Sequence, residues 1–320
     1  MTDITAPAAR PAARLSLPAP PSARRTLQVL LGMVWLLDAS LQFQPFMFST
    51  RFVATIIEPT ATGNPALVAA PITWSAHLMA GHIIAANTAF ALIQLAIALG
   101  FFFRPTVKLA MAASIVWAAS VWWFGEGLGG ILTGASPLAG LPGAVILYAL
   151  IALLLWPTPG DPATTTLAPA LRGPLGQRVP KVLWFVLWAE FAWYLLLPGN
   201  RAPNAVSQAF ASMTAGQPGW VAGPARALAS LTAQHGLAAS VLLAAACAAT
   251  GLALVTGRLI RPAIVLACLL GLVFWVAEGF GGIATGQGTD PNTGPLLILL
   301  AACFWPPRRD APGPAPGGPR

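Results

Sequence analysis

The sequence predicts an all-α polytopic membrane protein, with eight transmembrane helices in two tandem four-helix units related by a pseudo-two-fold axis along the membrane normal. Three observations carry that prediction. Of 320 residues, 57% are apolar and only 8% charged, against roughly 25% charged in an ordinary soluble domain. The 17 Lys and Arg sort into alternate loops, as expected when basic residues are retained on the cytoplasmic side. Blocks of the first half also return in the second at near-constant spacing, which marks an internal repeat.

The apolar residues fall into successive stretches, most of about 18 or more, each long enough for a helix across a ~30 Å hydrocarbon core. Candidate spans are 26–48, 77–103, 105–124, 138–156, 181–197, 235–259, 262–280 and 292–305. The last is short for a full crossing. A transmembrane barrel would instead show alternating segments of about ten residues.

With the N-terminus inside, 14 of the 17 basic residues lie on the cytoplasmic side, leaving Arg51, Arg201 and Arg226 outside. Both termini are therefore expected in the cytoplasm of a cell with this protein in its inner (plasma) membrane. The net charge of +8 reflects the same excess, so it points to topology and the lipid bilayer, with no nucleic-acid partner. Cys247, Cys268 and Cys303 all sit in apolar runs without CxxC spacing, which argues against a disulfide framework. Residues 1–25 are rich in Ala, Pro and Arg and lack an apolar h-region, so they read as a disordered cytoplasmic tail. The remaining divisions are a first unit at 26–157, a Pro-, Gly- and Thr-rich cytoplasmic linker at 158–180, a second unit at 181–306 and a disordered tail at 307–320.

The repeat supplies the site candidates. GEGLGGILTG at 125–134 returns as AEGFGGIATG at 277–286, and the pattern of Gly63, Pro65, Val68, Ala69 and Pro71 returns as Gly216, Pro218, Val221, Ala222 and Pro224. His82 and His235 each follow the last of those prolines by 11 residues. Asp38 aligns with Glu190, and the spacing from Asp38 to Glu126 is 88 residues, as it is from Glu190 to Glu278. The outer segments 49–76 and 199–234 are expected to carry interfacial helices. In the first copy an irregular loop is the alternative, because Pro59, Gly63, Pro65 and Pro71 interrupt it.

Four of the nine carboxylates, Asp38, Glu126, Glu190 and Glu278, fall in or at the edge of spans. A charge at mid-bilayer costs roughly 2.5–3.5 kcal/mol on insertion scales, so such residues are functional candidates by default. The topology puts Asp38, His82 and Glu126 in the outer half of the bilayer, with Glu190, His235 and Glu278 repeating the arrangement. Each set could converge as carboxylate, imidazole and carboxylate. The structural alternatives are a carboxylate accepting backbone N–H groups at a Gly-rich turn for Glu126 and Glu278, and a hydrogen bond to a neighbouring helix for Asp38 and Glu190. For the histidines the alternative is solvation at the interface. Gly125, Gly127, Gly129 and Gly130, with Gly279, Gly281 and Gly282, read as a tight or re-entrant turn tolerated at membrane depth only when packed in protein or lining a cavity. They form neither a Walker A loop nor a dinucleotide fingerprint.

Four-helix units with acidic residues and Gly-rich segments such as GEGLGGILTG and AEGFGGIATG resemble the DoxX/DoxD family of small bacterial membrane proteins. Some of these are associated with thiosulfate:quinone oxidoreductase activity. The resemblance covers both units, but no catalytic residue of that family falls on a numbered position here, and the duplication departs from its single-unit form. LDASLQFQPFMF, HIIAAN and WWFGEGLGG are closer to an uncharacterised bacterial membrane protein family. The resemblance implies a redox-linked, quinone-associated function. The acidic and histidine positions also allow a divalent metal, with Zn, Mn or Fe(II) suiting oxygen and imidazole ligands better than Cu(I). A bis-histidine haem from His82 and His235 is the disfavoured cofactor. The alternatives are a proton- or cation-coupled transporter, with parallel repeats around a path, and a non-catalytic scaffold that assembles with other membrane subunits. The sequence leaves enzyme, transporter and scaffold open.

Overall fold

A computed structural model describes residues 22–158 and 168–306. Residues 1–21 of the expected tail at 1–25, linker residues 159–167 and the expected tail at 307–320 lie outside the described residues, and residues 23–25 are helical rather than part of a disordered tail. Helix α1 (Ala23–Leu41) begins behind Ser22, whose hydroxyl accepts the Arg25 N–H at 3.3 Å. A one-turn α2 (Thr50–Phe52) runs into a wider turn at Val53–Ile57 and a 3-10 turn at Glu58–Ala61. Helices α3 (Ala66–Gly81), α4 (Ile83–Phe102), α5 (Val107–Phe124) and α6 (Ala144–Leu154) follow. The second half contains α7 (Arg178–Leu195), α8 (Ala205–Ser212), α9 (Gly219–Thr232), α10 (Gly236–Thr256), α11 (Ile260–Ala277) and α12 (Thr293–Cys303).

Four segments are helical, long and apolar enough to cross a membrane: Ile83–Phe102, Arg104–Phe124, Gly236–Thr256 and Ile260–Ala277. Large side chains such as Ile84, Leu92, Leu109, Leu242 and Leu269 project outward from them. Apolar surface on that scale suits lipid rather than water, so the fold is that of a helical protein compatible with integral membrane insertion.

Several boundaries differ from the expected spans, for identifiable reasons. The stretches 138–156 and 292–305 yield helices of only 11 residues each, about 16 Å long. Gly140 and Gly143, both at φ +95, hold the chain out of helix before α6, and Asn292 at φ +66 does so before α12. The span expected from residue 77 begins instead at Ile83, because the outer segment is helical to Gly81 and breaks at His82 (φ −139, ψ 36). The interruption expected from prolines is confined to the turns before α3, and Pro71 lies within the helix.

Helix α1 packs on α4 and α5 on α6; α7 packs on α10 and α11 on α12, while α12 also meets α6 and α1. Small residues permit the close crossings, as is usual between membrane helices. A Cβ on Gly32 would lie 2.6 Å from that of Phe101, and one on Gly251 3.2 Å from that of Trp188. A single core joins Trp35, Phe101 and Tyr148 to Trp184, Trp188, Phe191 and Phe274.

Two of the basic residues that set the expected topology also close helix ends. Buried Arg24 donates to the Trp156 carbonyl, just past the end of α6, and to the Pro169 carbonyl at the start of the 3-10 turn Pro169–Arg172, both at 2.8 Å. Arg25 donates to the carbonyls of Phe101 and Phe102 at 2.8 and 2.7 Å. Carbonyls left free at a helix C-terminus are good acceptors for such cations.

Candidate functional site

The Gly-rich segments fix the carboxylates that precede them. Gly127, Leu128, Gly129 and Gly130 take φ of 58, 56, 62 and 78, and Gly279, Phe280, Gly281 and Gly282 take 58, 54, 68 and 63. Four successive left-handed residues make one reversed turn, which costs about 1–2 kcal/mol at each non-glycine position. Space is as restrictive as the dihedrals. A Cβ on Gly129 would lie 1.7 Å from the Pro142 carbonyl oxygen, and one on Gly281 2.5 Å from that of Asp290. The turn folds each carboxylate onto the start of the next short helix.

There the two halves diverge. Glu278, 3% exposed, accepts the Thr293 N–H at 3.0 Å on Oε2 and the Thr293 hydroxyl on Oε1. Glu126 accepts the Val145 N–H at 3.3 Å on Oε1, while its Oε2 is enclosed without a hydrogen-bond partner. Both carboxylates thus take up free N–H groups at a helix start, but only Glu278 has both oxygens occupied.

Glu126 borders a cavity of about 380 Å³ in the first half. Its walls come from α1, α2, α3, α4, α5 and α6, together with Thr289 and Asp290 from the connection ahead of α12. Gln42 and Gln44, just beyond α1, tie that connection down by donating to the Thr289 and Gly288 carbonyls, both at 3.2 Å. Asp38, 4% exposed, and Tyr148, 1% exposed, face each other on the wall, yet neither Asp38 Oδ1 nor the Tyr148 hydroxyl closes a hydrogen bond of good geometry. Trp35 lies against Tyr148 with ring centroids 4.4 Å apart. Gln94 Oε1 and Trp117 Nε1 are also enclosed and unpaired. Asp290 accepts the Asn292 N–H at 2.7 Å and the Thr289 hydroxyl at 2.8 Å. Burial pushes its carboxyl above the ordinary carboxylate range, and those two bonds offset part of the shift.

Apart from Thr60, Ser75 and Ser120, the rest of the wall is apolar and largely aromatic, including Phe52, Phe90 and Phe124. Trp74, 62% exposed, and Leu78 form an exposed apolar rim on α3 that faces α5. Among the described residues, no Lys, Arg or His lines the cavity. It is therefore a pocket of ligand-binding size with an acidic end and an aromatic body.

Of the expected sets, Asp38 and Glu126 share this cavity. His82 does not join them; it is exposed at the break between α3 and α4. In the second half Glu190 is half-buried on α7, His235 is exposed ahead of α10, and Glu278 is buried against Thr293. Among the described residues, no group of three or more His, Cys, Asp or Glu side chains is placed to hold a metal ion. Asn87 and Ser240, at matching positions in the sequence, donate to the carbonyls of Gln42 at 2.8 Å and Asn200 at 3.0 Å.

Asp290, Gln94 and Trp117 belong to the site but carry no motif. Comparison with protein-family models, with curated proteins and with solved structures gives no match, so the site rests on its own geometry.

Proposed function

We propose that this chain is an eight-span, duplicated plasma-membrane protein with both termini in the cytoplasm, and that its first-half cavity handles a proton or a small cation in transport. The like pairing of α1 with α4 and α7 with α10, and the recurrence of the left-handed turn, support the duplication. One observation carries the function: Asp38 and Glu126, each with an oxygen that has no hydrogen-bond partner, line a cavity that no basic side chain lines. An enclosed carboxylate without a cationic neighbour is stable only with a proton or another cation on it.

A second reading, a quinone-associated redox protein, draws on the resemblance to the DoxX/DoxD family. The aromatic walls fit a quinone ring, and Trp117 Nε1 and the Tyr148 hydroxyl are donors left unpaired for its carbonyls. The divalent-metal reading loses its nitrogen ligand, because His82 lies outside the cavity.

The test is ion flux in proteoliposomes under an imposed membrane potential, read with luminal pH and sodium dyes. Wild-type protein should carry a proton or cation current that falls at least about ten-fold in Asp38→Asn and Glu126→Gln, a change that corresponds to 1.4 kcal/mol per factor of ten. Flux no greater than in protein-free liposomes, or flux unchanged in both variants, overturns the reading.

A further inference from the structure

We infer that the first-half cavity binds an organic amine with a hydrophobic, ring-sized body, which enters from the lipid side past Trp74 and Leu78. This inference rests on the reading of the cavity as a cation-handling site and names the cation. The residues lining the cavity carry three unpaired acceptors, Asp38 Oδ1, Glu126 Oε2 and Gln94 Oε1, against two unpaired donors, Trp117 Nε1 and the Tyr148 hydroxyl. A proton satisfies one of the acceptors, whereas an ammonium brings up to three N–H donors. A bare inorganic ion would use the acidic end and leave most of the ~380 Å³ unfilled.

The walls suit the remainder of such a molecule. Trp35, Phe90 and Trp117 line the cavity together with Asp38 and Glu126, and aromatic rings attract a positive charge as well as burying apolar surface. The rim matters equally. Trp74 and Phe124 flank it with ring centroids 6.4 Å apart, and both are exposed. A solute already partitioned into lipid meets an apolar entrance there, whereas a hydrated ion does not.

The second half supplies the contrast. Both oxygens of Glu278 are occupied by Thr293, so the carboxylate matched to Glu126 has no free acceptor to offer. One amine should therefore bind per chain.

The probes are 2-phenylethylamine, 2-phenylethanol and 3-phenylpropionate, titrated into detergent-purified protein by calorimetry and tryptophan fluorescence. The amine should bind saturably at one equivalent, the alcohol about ten-fold or more weakly, which is 1.4 kcal/mol per factor of ten, and the carboxylate not at all. Asp38→Asn should weaken amine binding to the level of the alcohol, while Glu58→Gln, at an exposed acid that is not part of the cavity lining, should leave it unchanged. If Asp38→Asn fails to fold, Ser120→Trp, on the exposed part of the lining, should abolish amine binding with every carboxyl intact. Equal binding of amine and alcohol overturns the inference in favour of a neutral amphiphile. Amine binding that survives both variants also overturns it. Absence of amine binding while wild-type flux persists in proteoliposomes overturns the inference alone; loss of both overturns the transport reading with it.

Discussion

Replacing Thr293 by valine isolates the feature that separates the two halves. Valine keeps the shape of threonine and the backbone N–H that donates to Glu278 Oε2 at 3.0 Å. What it removes is the hydroxyl on Oε1, inside a residue only 3% exposed. Leaving a buried acceptor without its partner costs about 1–3 kcal/mol. Thr293→Val should therefore destabilise by about 2 kcal/mol, within that range. Thr293→Ser retains the hydroxyl and loses one methyl group, so it should cost less than about 1 kcal/mol. Unfolding free energies from SDS titration in mixed micelles measure both. A valine variant indistinguishable from wild type, or a serine variant as damaged as the valine one, would refute this account of Glu278.

Three other substitutions, the first with a control, test the scaffold. Gly129→Ala places a methyl 1.7 Å from the Pro142 oxygen at φ +62 and should abolish monodisperse protein on size exclusion, whereas Gly199→Ala, with no atom within 4 Å, should behave as wild type. Arg24→Lys cannot reproduce the fork onto Trp156 and Pro169; it should lower unfolding free energy by about 1.5–3 kcal/mol and speed proteolysis within residues 168–177. Tyr194→Phe removes the 2.6 Å bond from its hydroxyl to the Ile131 carbonyl, which joins α7 to the Gly-rich segment of the first half, at a cost of about 1 kcal/mol in the same titration.

Composition and the Gly-rich repeats were legible because each reflects a constraint that few residues meet. Lipid-facing helices must be apolar, and successive left-handed residues must be mostly glycine. The place of His82 was not legible in the same way. Its spacing suggested convergence with Asp38 and Glu126, yet α3 and α4 carry apolar residues around their full circumference. A helix without a polar face does not declare which side turns inward. The break at His82 then points the imidazole outward. Asp290 escaped for a different reason: it reaches the cavity from the other half of the chain, held there by Gln42 and Gln44. No local pattern encodes that contact.

Matched positions in the two halves do not carry matched chemistry, and the neighbours decide which. Glu126 and Glu278 sit on the same turn at the same offset, with nearly identical backbone angles after them. At the first residue of the helix that follows, the first half has Ala144 and the second has Thr293. Alanine offers no side-chain donor, so Glu126 keeps an unpaired oxygen; threonine supplies one, and Glu278 is closed. The two segments therefore share a backbone turn while the chemistry at its carboxylate differs. On this logic Ala144→Thr should do more damage to flux than to folding. The added hydroxyl can bond Glu126 Oε2 as Thr293 bonds Glu278, stabilising the protein by about 0.5–1.5 kcal/mol while removing an acceptor from the cavity. Protein that gains stability yet carries undiminished cation flux would separate Glu126 from transport and leave Asp38 as the group to follow.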